Sequence, residues 1–123
     1  MNKLEGKKVL IVEDDSLLRR LVCGVFDNVG AVVAEAENGT IAFSMLSENN
    51  YDVVLSDIRM PGGDGITLAK NIKKLNRPNL LVFIYSGYND LTDELIRDLG
   101  IIKNFEKPFD IDELLIDIER FLP

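Results

Sequence analysis

The sequence predicts an α/β fold in which a doubly wound, five-stranded parallel sheet carries helices on both faces. Short apolar runs, mostly rich in β-branched residues, alternate five times with segments whose apolar residues recur every three or four positions. The runs lack the strict alternation of apolar and polar residues and read as nearly continuous apolar stretches, as is typical of parallel strands that are buried on both sides. Right-handed crossovers wind such strand–helix units into one sheet, and ligands bind beyond the carboxyl ends of its strands.

The apolar runs give the strands in chain order. Each has the length of an ordinary strand, and Pro78 marks the loop that leads into the fourth. The predicted strands are Lys8–Val12, Ala31–Glu35, Asp52–Ser56, Leu80–Tyr85 and Ile101–Phe105.

A helix follows each strand and turns one apolar stripe towards the sheet. The stripe is recognised by apolar residues at three- and four-residue steps. In chain order the sets are Leu17, Leu18, Leu21, Val22, Val25 and Phe26; Ile41, Ala42, Met45 and Leu46; Ile66, Leu68, Ala69, Ile72 and Leu75; Leu91, Leu95, Ile96 and Leu99; and Ile111, Leu114, Leu115, Ile118, Phe121 and Leu122.

The ends of these helices are marked by capping residues. A carboxylate or hydroxyl before the first turn accepts hydrogen bonds from free N–H groups, and a glycine after the last turn adopts the left-handed conformation. The predicted caps are Asp15 or Ser16 for the first helix, Asp90 for the fourth and Asp110 for the fifth, with Gly30 and Gly100 at two helix ends. Asp64 and Gly65 are assigned to the turn and the start of the third helix.

Size and composition limit what the protein can be. The 123 residues fit one domain, 1–123, with a core of its own. The net charge of −7 disfavours direct binding to nucleic acid or to anionic membranes. No stretch is long and apolar enough to span a bilayer, and acidic residues from Glu13 onward end the first apolar run too early for a signal peptide. The single cysteine, Cys23, fits a small core residue in a cytoplasmic protein.

The chain contains no histidine. This excludes Ser-His-Asp and Cys-His catalysis and every metal site built on histidine. Chemistry must therefore come from carboxylates, lysine, hydroxyls and backbone groups.

Polar residues lie at the carboxyl ends of four predicted strands. Because the carboxyl ends of parallel strands meet at one edge of the sheet, we expect these side chains to share one small cleft. In strand order they are Glu13, Asp14 and Asp15, then Asp57, then Ser86, then Lys107.

The charges in this cleft predict what it binds. Carboxylates placed together repel one another unless a cation joins them, and Lys107 supplies one positive charge. Mg²⁺ prefers oxygen ligands and would supply more. A carboxylate beside Mg²⁺, a lysine and a hydroxyl is suited to attack a phosphoryl group, so we interpret Asp57 as exposed at its strand end to be phosphorylated. The predicted metal ligands are Glu13, Asp14, Asp57 and the backbone carbonyl of Arg59.

Four motifs at these strand ends resemble a known family. They are VLIVEDDSLLR (Val9–Arg19), VVLSDIRMPGGDG (Val53–Gly65), FIYSGY (Phe83–Tyr88) and EKPF (Glu106–Phe109). In this order they resemble the receiver domain of response regulators in two-component, His-Asp phosphorelay signalling, over essentially the whole chain. The resemblance implies a (βα)5, flavodoxin-like sheet with strand order 2-1-3-4-5.

The resemblance also implies roles for the cleft residues. Asp57 matches the phosphoacceptor, Ser86 the switch hydroxyl and Lys107 the phosphate-binding lysine. Receivers take the phosphoryl group from a sensor histidine kinase or a histidine phosphotransfer protein, and this chain, without histidine, resembles the acceptor. It would be a signalling domain that assists its own phosphorylation and autodephosphorylation, and not an enzyme acting on a separate substrate.

Further positions follow from the same resemblance. Glu13 and Asp14 match the acidic pair, with Asp14 a direct Mg²⁺ ligand, whereas Asp15 matches a position that is not normally a ligand. Pro108 matches a position that commonly follows a cis peptide bond. A homodimer through the fourth helix, fifth strand and fifth helix is possible, given the charged residues Asp93, Arg97, Lys103, Asp112 and Glu113.

One position departs from the family pattern. Many receivers carry Tyr or Phe three residues before the lysine, and here that position is Asn104. Neighbouring residues on a strand face opposite ways, so Phe105 is expected to stay in the core and not to replace the missing ring. Arg59 and Tyr88 match positions linked to phosphoryl lifetime and are expected to shield the site from water.

Other interpretations of the same residues remain open. The acidic run at Glu13 could simply cap the first helix, and Arg19 and Arg20 could be solvated charges. A pseudo-receiver would use the same fold for protein contacts alone; the complete set of cleft residues argues against it, and the Asn104 departure keeps it open. A small Mg²⁺-dependent phosphatase would need a substrate pocket and a general acid, which a chain of this length does not show.

Overall fold

The computed structural model describes residues 2–87 and 91–123. Within them, strands and helices alternate along the chain as the apolar pattern predicts. The elements are β1 (Lys8–Val12), α1 (Ser16–Asn28), β2 (Val32–Ala36), α2 (Gly39–Glu48), β3 (Val53–Asp57), α3 (Gly65–Lys74), β4 (Leu81–Ser86), α4 (Asp93–Asp98), β5 (Lys103–Glu106) and α5 (Ile111–Phe121).

The strands form one parallel sheet in the order β2-β1-β3-β4-β5. This confirms the predicted doubly wound topology and places β1, β3, β4 and β5 side by side. Their carboxyl ends therefore lie along one edge of the sheet, which is where the polar residues were predicted to meet. In the register of β3 and β4, Asp57 is the direct neighbour of Tyr85.

Buried side chains cover both faces of the sheet. On one face, residues of β1, β3 and β4 such as Ile11, Leu55 and Phe83 pack with Phe26 of α1 and Ile118 of α5. On the other face, alternate residues of the same strands pack with the apolar residues of α2, α3 and α4. The three central strands β1, β3 and β4 are buried on both sides and are largely apolar, whereas the edge strands β2 and β5 carry exposed and charged residues.

The boundaries of four strands differ from the predicted ones. β2, β3 and β4 begin and end one residue later, and β5 runs from Lys103 to Glu106. The first apolar residues of two runs belong to helix ends, since the N–H of Ala31 bonds to the carbonyl of Phe26 and that of Ile101 bonds to Ile96. At their carboxyl ends, β3, β4 and β5 continue into the polar residues Asp57, Ser86 and Glu106, which a pattern of apolar residues does not assign to a strand.

The predicted helix caps are largely confirmed. Asp15 and Asp110 accept hydrogen bonds from N–H groups of the first turn of α1 and α5. Asp64, which was assigned only to the turn and start of the third helix, caps α3 in the same way. Gly30 and Gly100 follow α1 and α4 with positive φ angles of 88° and 72°. Asp90 lies outside the described residues.

Helix α4 is shorter than its apolar set predicted. The set began at Leu91, but the helix begins at Asp93, because Thr92 is its N-cap and accepts from the N–H of Leu95. Leu91 is buried ahead of the cap, so its apolar character reflects the core and not the helix.

The predicted buried stripe of α1 was too wide. Val22 and Phe26 are buried, but Leu17 is 80% exposed and Leu21 is 56% exposed. The six apolar positions of this helix span about half of its circumference, whereas its contact with the sheet covers only the part around Val22 and Phe26. Cys23, predicted as a core residue, is half-buried beside the same face.

Among the residues that the structure describes, no helix has both the length and the apolar character needed to cross a membrane.

Candidate functional site

The carboxylates of Glu13, Asp14 and Asp57 meet at the carboxyl edge of the sheet. One oxygen from each lies within 4.8 Å of the others. Glu13 and Asp14 directly follow β1, and Asp57 is the last residue of the neighbouring strand β3. The proximity that the strand ends predicted is therefore present for these three side chains.

Asp57 lies at the floor of the cleft and is less accessible than the sequence suggested. The residue is only 8% exposed, whereas we expected a carboxylate that projects into solvent. Its Oδ1 accepts a hydrogen bond of 2.7 Å from the N–H of Ile58, and its Oδ2 lies 3.4 Å from Lys107 Nζ. The strand continues through Asp57 itself, which pairs with Tyr85 of β4, and this accounts for its burial.

Glu13 is almost completely buried, with 1% of its surface exposed. Its Oε1 accepts a hydrogen bond of 2.6 Å from the Tyr85 hydroxyl, and its Oε2 accepts one of 3.0 Å from the N–H of Asp15. Burial raises the pKa of Glu13, although the bonds from Tyr85 and Asp15 act in the opposite direction. Each of the two carboxylate oxygens therefore has a hydrogen-bond donor.

Tyr85 belongs to the site, and the sequence-based prediction missed it. Its ring is fully buried, and the Lys107 ammonium lies 5.1 Å from the ring centre. Burial, and then the Glu13 carboxylate, raise the pKa of Tyr85 far above its usual value, so the hydroxyl keeps its proton. The sequence did hold one sign of this role. Tyr85 precedes Ser86 at the end of β4 and is the residue of that strand that carries a phenol.

Lys107 follows β5 and is partly buried beside Asp57. Its N–H donates a hydrogen bond of 2.6 Å to the carbonyl of Ser86, which fixes the end of β5 against the end of β4. The peptide bond between Lys107 and Pro108 is cis, as the family resemblance implied. The lysine side chain remains 34% exposed, so its ammonium reaches both the carboxylate and the open cleft.

Ser86, at the end of β4, is 1% exposed. Its hydroxyl donates a hydrogen bond of 3.2 Å to the side-chain oxygen of Asn104 on β5. Phe105 is buried, as predicted, and its ring stacks with Phe83 in the core. Asn104, at the position where many receivers carry an aromatic ring, thus contacts the hydroxyl of Ser86.

Three arginines took part in the sequence-based predictions, namely Arg19, Arg20 and Arg59. Arg19 was interpreted as a solvated charge, but it donates hydrogen bonds of 2.8 Å to the carbonyl of Glu13 and to the carboxylate of Glu35. It therefore holds the backbone of the acidic pair in place. The Arg59 side chain is exposed and that of Arg20 is as well. The metal-ligand role of the Arg59 carbonyl stays a prediction, and Tyr88 lies outside the described residues.

The donor set fits a hard divalent cation. Glu13, Asp14 and Asp57 offer only carboxylate oxygens, and Lys107 offsets one of their charges. Mg²⁺ is bound in proteins by one or two carboxylates with retained waters, and by a loop carbonyl where one is available. Asp15 caps α1 instead and is not part of the cluster.

Comparison with known proteins gives the same family over most of the chain. Residues 9–119 match the model of the response regulator receiver domain. Sporulation initiation phosphotransferase F of Bacillus subtilis is 36% identical over 121 residues, which is 96% of this chain and 95% of that protein.

Similar proteins also include a longer one and a solved structure. The DNA-binding transcriptional regulator NtrC of Salmonella typhimurium is 38% identical over 113 residues, so 91% of this chain spans only 24% of that protein. The crystal structure of response regulator protein TrrA from Thermotoga maritima, in complex with Mg²⁺-BeF, has a TM-score of 0.82 and 28% identity. It covers 93% of this chain and 97% of that one.

Proposed function

The chain belongs to the response regulator receiver family, and from this premise we propose that Asp57 accepts a phosphoryl group from a phosphohistidine and that this changes the contacts of the protein with its partners. The observation that carries the proposal is the placement of Asp57. Its carboxylate lies in a cleft with two further carboxylates on one side and the Lys107 ammonium 3.4 Å away on the other.

The transfer is a single displacement at phosphorus. An oxygen of the Asp57 carboxylate forms the new P–O bond as the P–N bond of the donor breaks. The electron pair of that bond stays on the imidazole nitrogen, and the ring leaves as neutral imidazole if its other nitrogen carries a proton. Lys107 is within reach of the phosphoryl oxygens and would offset their charge, and a protonated lysine loses no proton in the step.

A bound Mg²⁺ fits the oxygen donors of this cleft and, when present, would offset negative charge on the transferring oxygens. Glu13, Asp14 and Asp57 would hold it, together with the carbonyl of Arg59. The TrrA structure, a similar protein in complex with Mg²⁺-BeF, supports this choice of cation.

The partner that this chemistry requires is a phosphohistidine protein, either a sensor histidine kinase or a histidine phosphotransfer protein. The chain contains no histidine and therefore acts as the acceptor in the exchange. Sporulation initiation phosphotransferase F of Bacillus subtilis, which is similar to this chain over almost its whole length, supports this role by its name. We propose that residues 1–123 form one such domain in the cytoplasm, with Ser86 as the switch hydroxyl.

Dimerisation through α4, β5 and α5 is part of the same proposal. Charged residues lie on this surface, and two of them pair within one chain, since Lys103 Nζ is 2.8 Å from Asp117 Oδ2. Asp93, Arg97, Asp112 and Glu113 are exposed there. Because the charges are of both signs, two copies could pair them across a two-fold axis.

The chemical nature of the product tests the proposal. We expect the protein, after incubation with phosphoramidate, to carry an acyl phosphate that borohydride reduces, so that peptide mass spectrometry finds homoserine at residue 57. A phosphate ester on Ser86 would resist borohydride and would contradict the assignment. A pseudo-receiver would give no modified peptide, and a phosphatase would instead hydrolyse aryl phosphates continuously.

A further inference from the structure

We propose that Tyr85 is a positioning residue of this site: its hydroxyl fixes the orientation of Glu13, and its ring holds the Lys107 ammonium beside Asp57. The inference rests on the proposed function and extends it to a residue on the buried side of the cleft. It follows from two independent contacts, one made by the hydroxyl and one by the ring face.

The hydroxyl contact joins two fully buried groups. Tyr85 is 0% exposed and Glu13 is 1% exposed, and 2.6 Å separates the phenol oxygen from Glu13 Oε1. The other oxygen, Oε2, is held by the N–H of Asp15. With one donor on each oxygen the carboxylate has a single orientation, in which one of its oxygens lies within 4.8 Å of oxygens of Asp14 and Asp57.

The ring contact acts on the other side of the cleft. Lys107 Nζ lies 5.1 Å from the centre of the Tyr85 ring, a distance at which an ammonium is attracted to an aromatic face. The ring is itself held by Phe109, whose centre is 5.2 Å away. Since Tyr85 neighbours Asp57 in the sheet register, an ammonium held over this ring stays next to the Asp57 carboxylate.

A purely structural role makes a different prediction. If Tyr85 only filled the core, phenylalanine would replace it at a cost in stability alone, with the metal affinity unchanged. If the hydroxyl positions Glu13, its removal leaves a buried carboxylate oxygen without its donor and free to turn. Partners that orient metal ligands typically change metal affinity tenfold or more when they are removed.

The test compares Tyr85→Phe with Tyr51→Phe, which removes a phenol hydroxyl on the opposite side of the sheet. Calorimetric titration of each folded variant with Mg²⁺ alone gives the dissociation constant. We expect Tyr85→Phe to raise the Mg²⁺ dissociation constant about tenfold, and Tyr51→Phe to leave it within twofold of the wild type.

The ring half of the proposal has its own readout. The ε-methylene protons of Lys107 should show an upfield ring-current shift in the NMR spectrum of the wild type. We expect this shift to persist in Tyr85→Phe, which keeps the ring, and to disappear in Tyr85→Leu. A Lys107 spectrum without such a shift in the wild type would overturn this half.

The outcomes separate this inference from the proposed function. If the wild type binds Mg²⁺ and Tyr85→Phe binds it equally well, Tyr85 does not position Glu13, while the proposed function is unaffected. If the wild type binds no Mg²⁺, the metal site and the role of Tyr85 are both overturned. Should Tyr85→Phe fail to fold, the hydroxyl proton of Tyr85 in the wild type decides instead: its resonance must shift on Mg²⁺ addition, and an unchanged resonance would refute the inference.

Discussion

The hydroxyl of Ser86 is hydrogen-bonded to the side-chain oxygen of Asn104 at 3.2 Å, across the β4–β5 edge of the sheet. Ser86 ends the strand beside Asp57, and Asn104 occupies the position where many receivers carry an aromatic ring. The Ser86 hydroxyl, which we propose as the switch hydroxyl, is thus bound to β5. A hydroxyl that moves to a phosphoryl group on Asp57 must give up this bond.

Asn104→Ala should therefore favour the phosphorylated conformation. A neutral hydrogen bond contributes about 1 kcal/mol, so its loss should tighten the binding of beryllofluoride, measured with Mg²⁺ present, by roughly fivefold. Asn50→Ala, at an exposed asparagine outside the cleft, is the matched control and should have no effect. Unchanged or weaker binding by Asn104→Ala would show that the bond does not restrain Ser86.

Gly65→Ala should damage the site through the backbone. Gly65 donates a hydrogen bond of 2.7 Å to the carbonyl of Ile58, and an added Cβ would clash with the carbonyl oxygen of Asp57 and approach Ile58 Cα to 3.0 Å. We expect the free energy of unfolding to fall by roughly 2 kcal/mol and Mg²⁺ binding to weaken.

Gly24→Ala is the matched control for that variant. Gly24 lies within α1, and a Cβ there would meet nothing within 4 Å. Alanine is the better helix former, so this variant should gain about 0.5–1 kcal/mol in denaturant unfolding. If both variants had the same stability, the close approach of α3 to the end of β3 would not limit residue 65.

The thiol of Cys23 should react slowly. Burial raises the pKa of Cys23 from 9.0 to about 11. Because only the thiolate is alkylated, iodoacetamide at pH 8 should react roughly a hundredfold more slowly with the folded protein than with the same chain in urea. Equal rates would mean that α1 does not shield this thiol.

The same shift predicts how stability changes at alkaline pH. The folded state holds the thiol proton more tightly than the unfolded state, since the folded pKa is the higher one. The contribution of Cys23 to stability is therefore complete below pH 9.0 and is lost as the pH rises towards about 11. Cys23→Ala should flatten this part of the stability curve, measured by urea unfolding at several pH values.

The doubly wound parallel sheet and the three clustered carboxylates could be predicted from the sequence because both follow from local patterns, whereas the strand order 2-1-3-4-5 came from the family resemblance. Continuous apolar runs predict parallel strands, and the rule for strand ends then places Glu13, Asp14 and Asp57 together. The accessibility of Asp57 could not be predicted in this way, since it depends on the strand running one residue further than its apolar pattern.

The residues that support the cluster could not be predicted for a related reason. The bond between Tyr85 and Glu13 joins side chains 72 positions apart, and a tyrosine within a buried strand has the same pattern as any core aromatic. Likewise the position of Arg19 outside the apolar stripe of α1 predicts a surface residue, although its guanidinium donates a hydrogen bond to the carbonyl of Glu13. Such contacts depend on the packing of elements and not on the spacing within one of them.

We propose that Asp57 accepts a phosphoryl group with the help of Mg²⁺. Intact-mass spectrometry after incubation with acetyl phosphate tests it most directly, with and without Mg²⁺, on the wild type and on Asp57→Asn. We predict a gain of one phosphoryl group that requires Mg²⁺ and is absent from the variant. A gain of equal size in Asp57→Asn, or one that does not depend on Mg²⁺, would contradict the account.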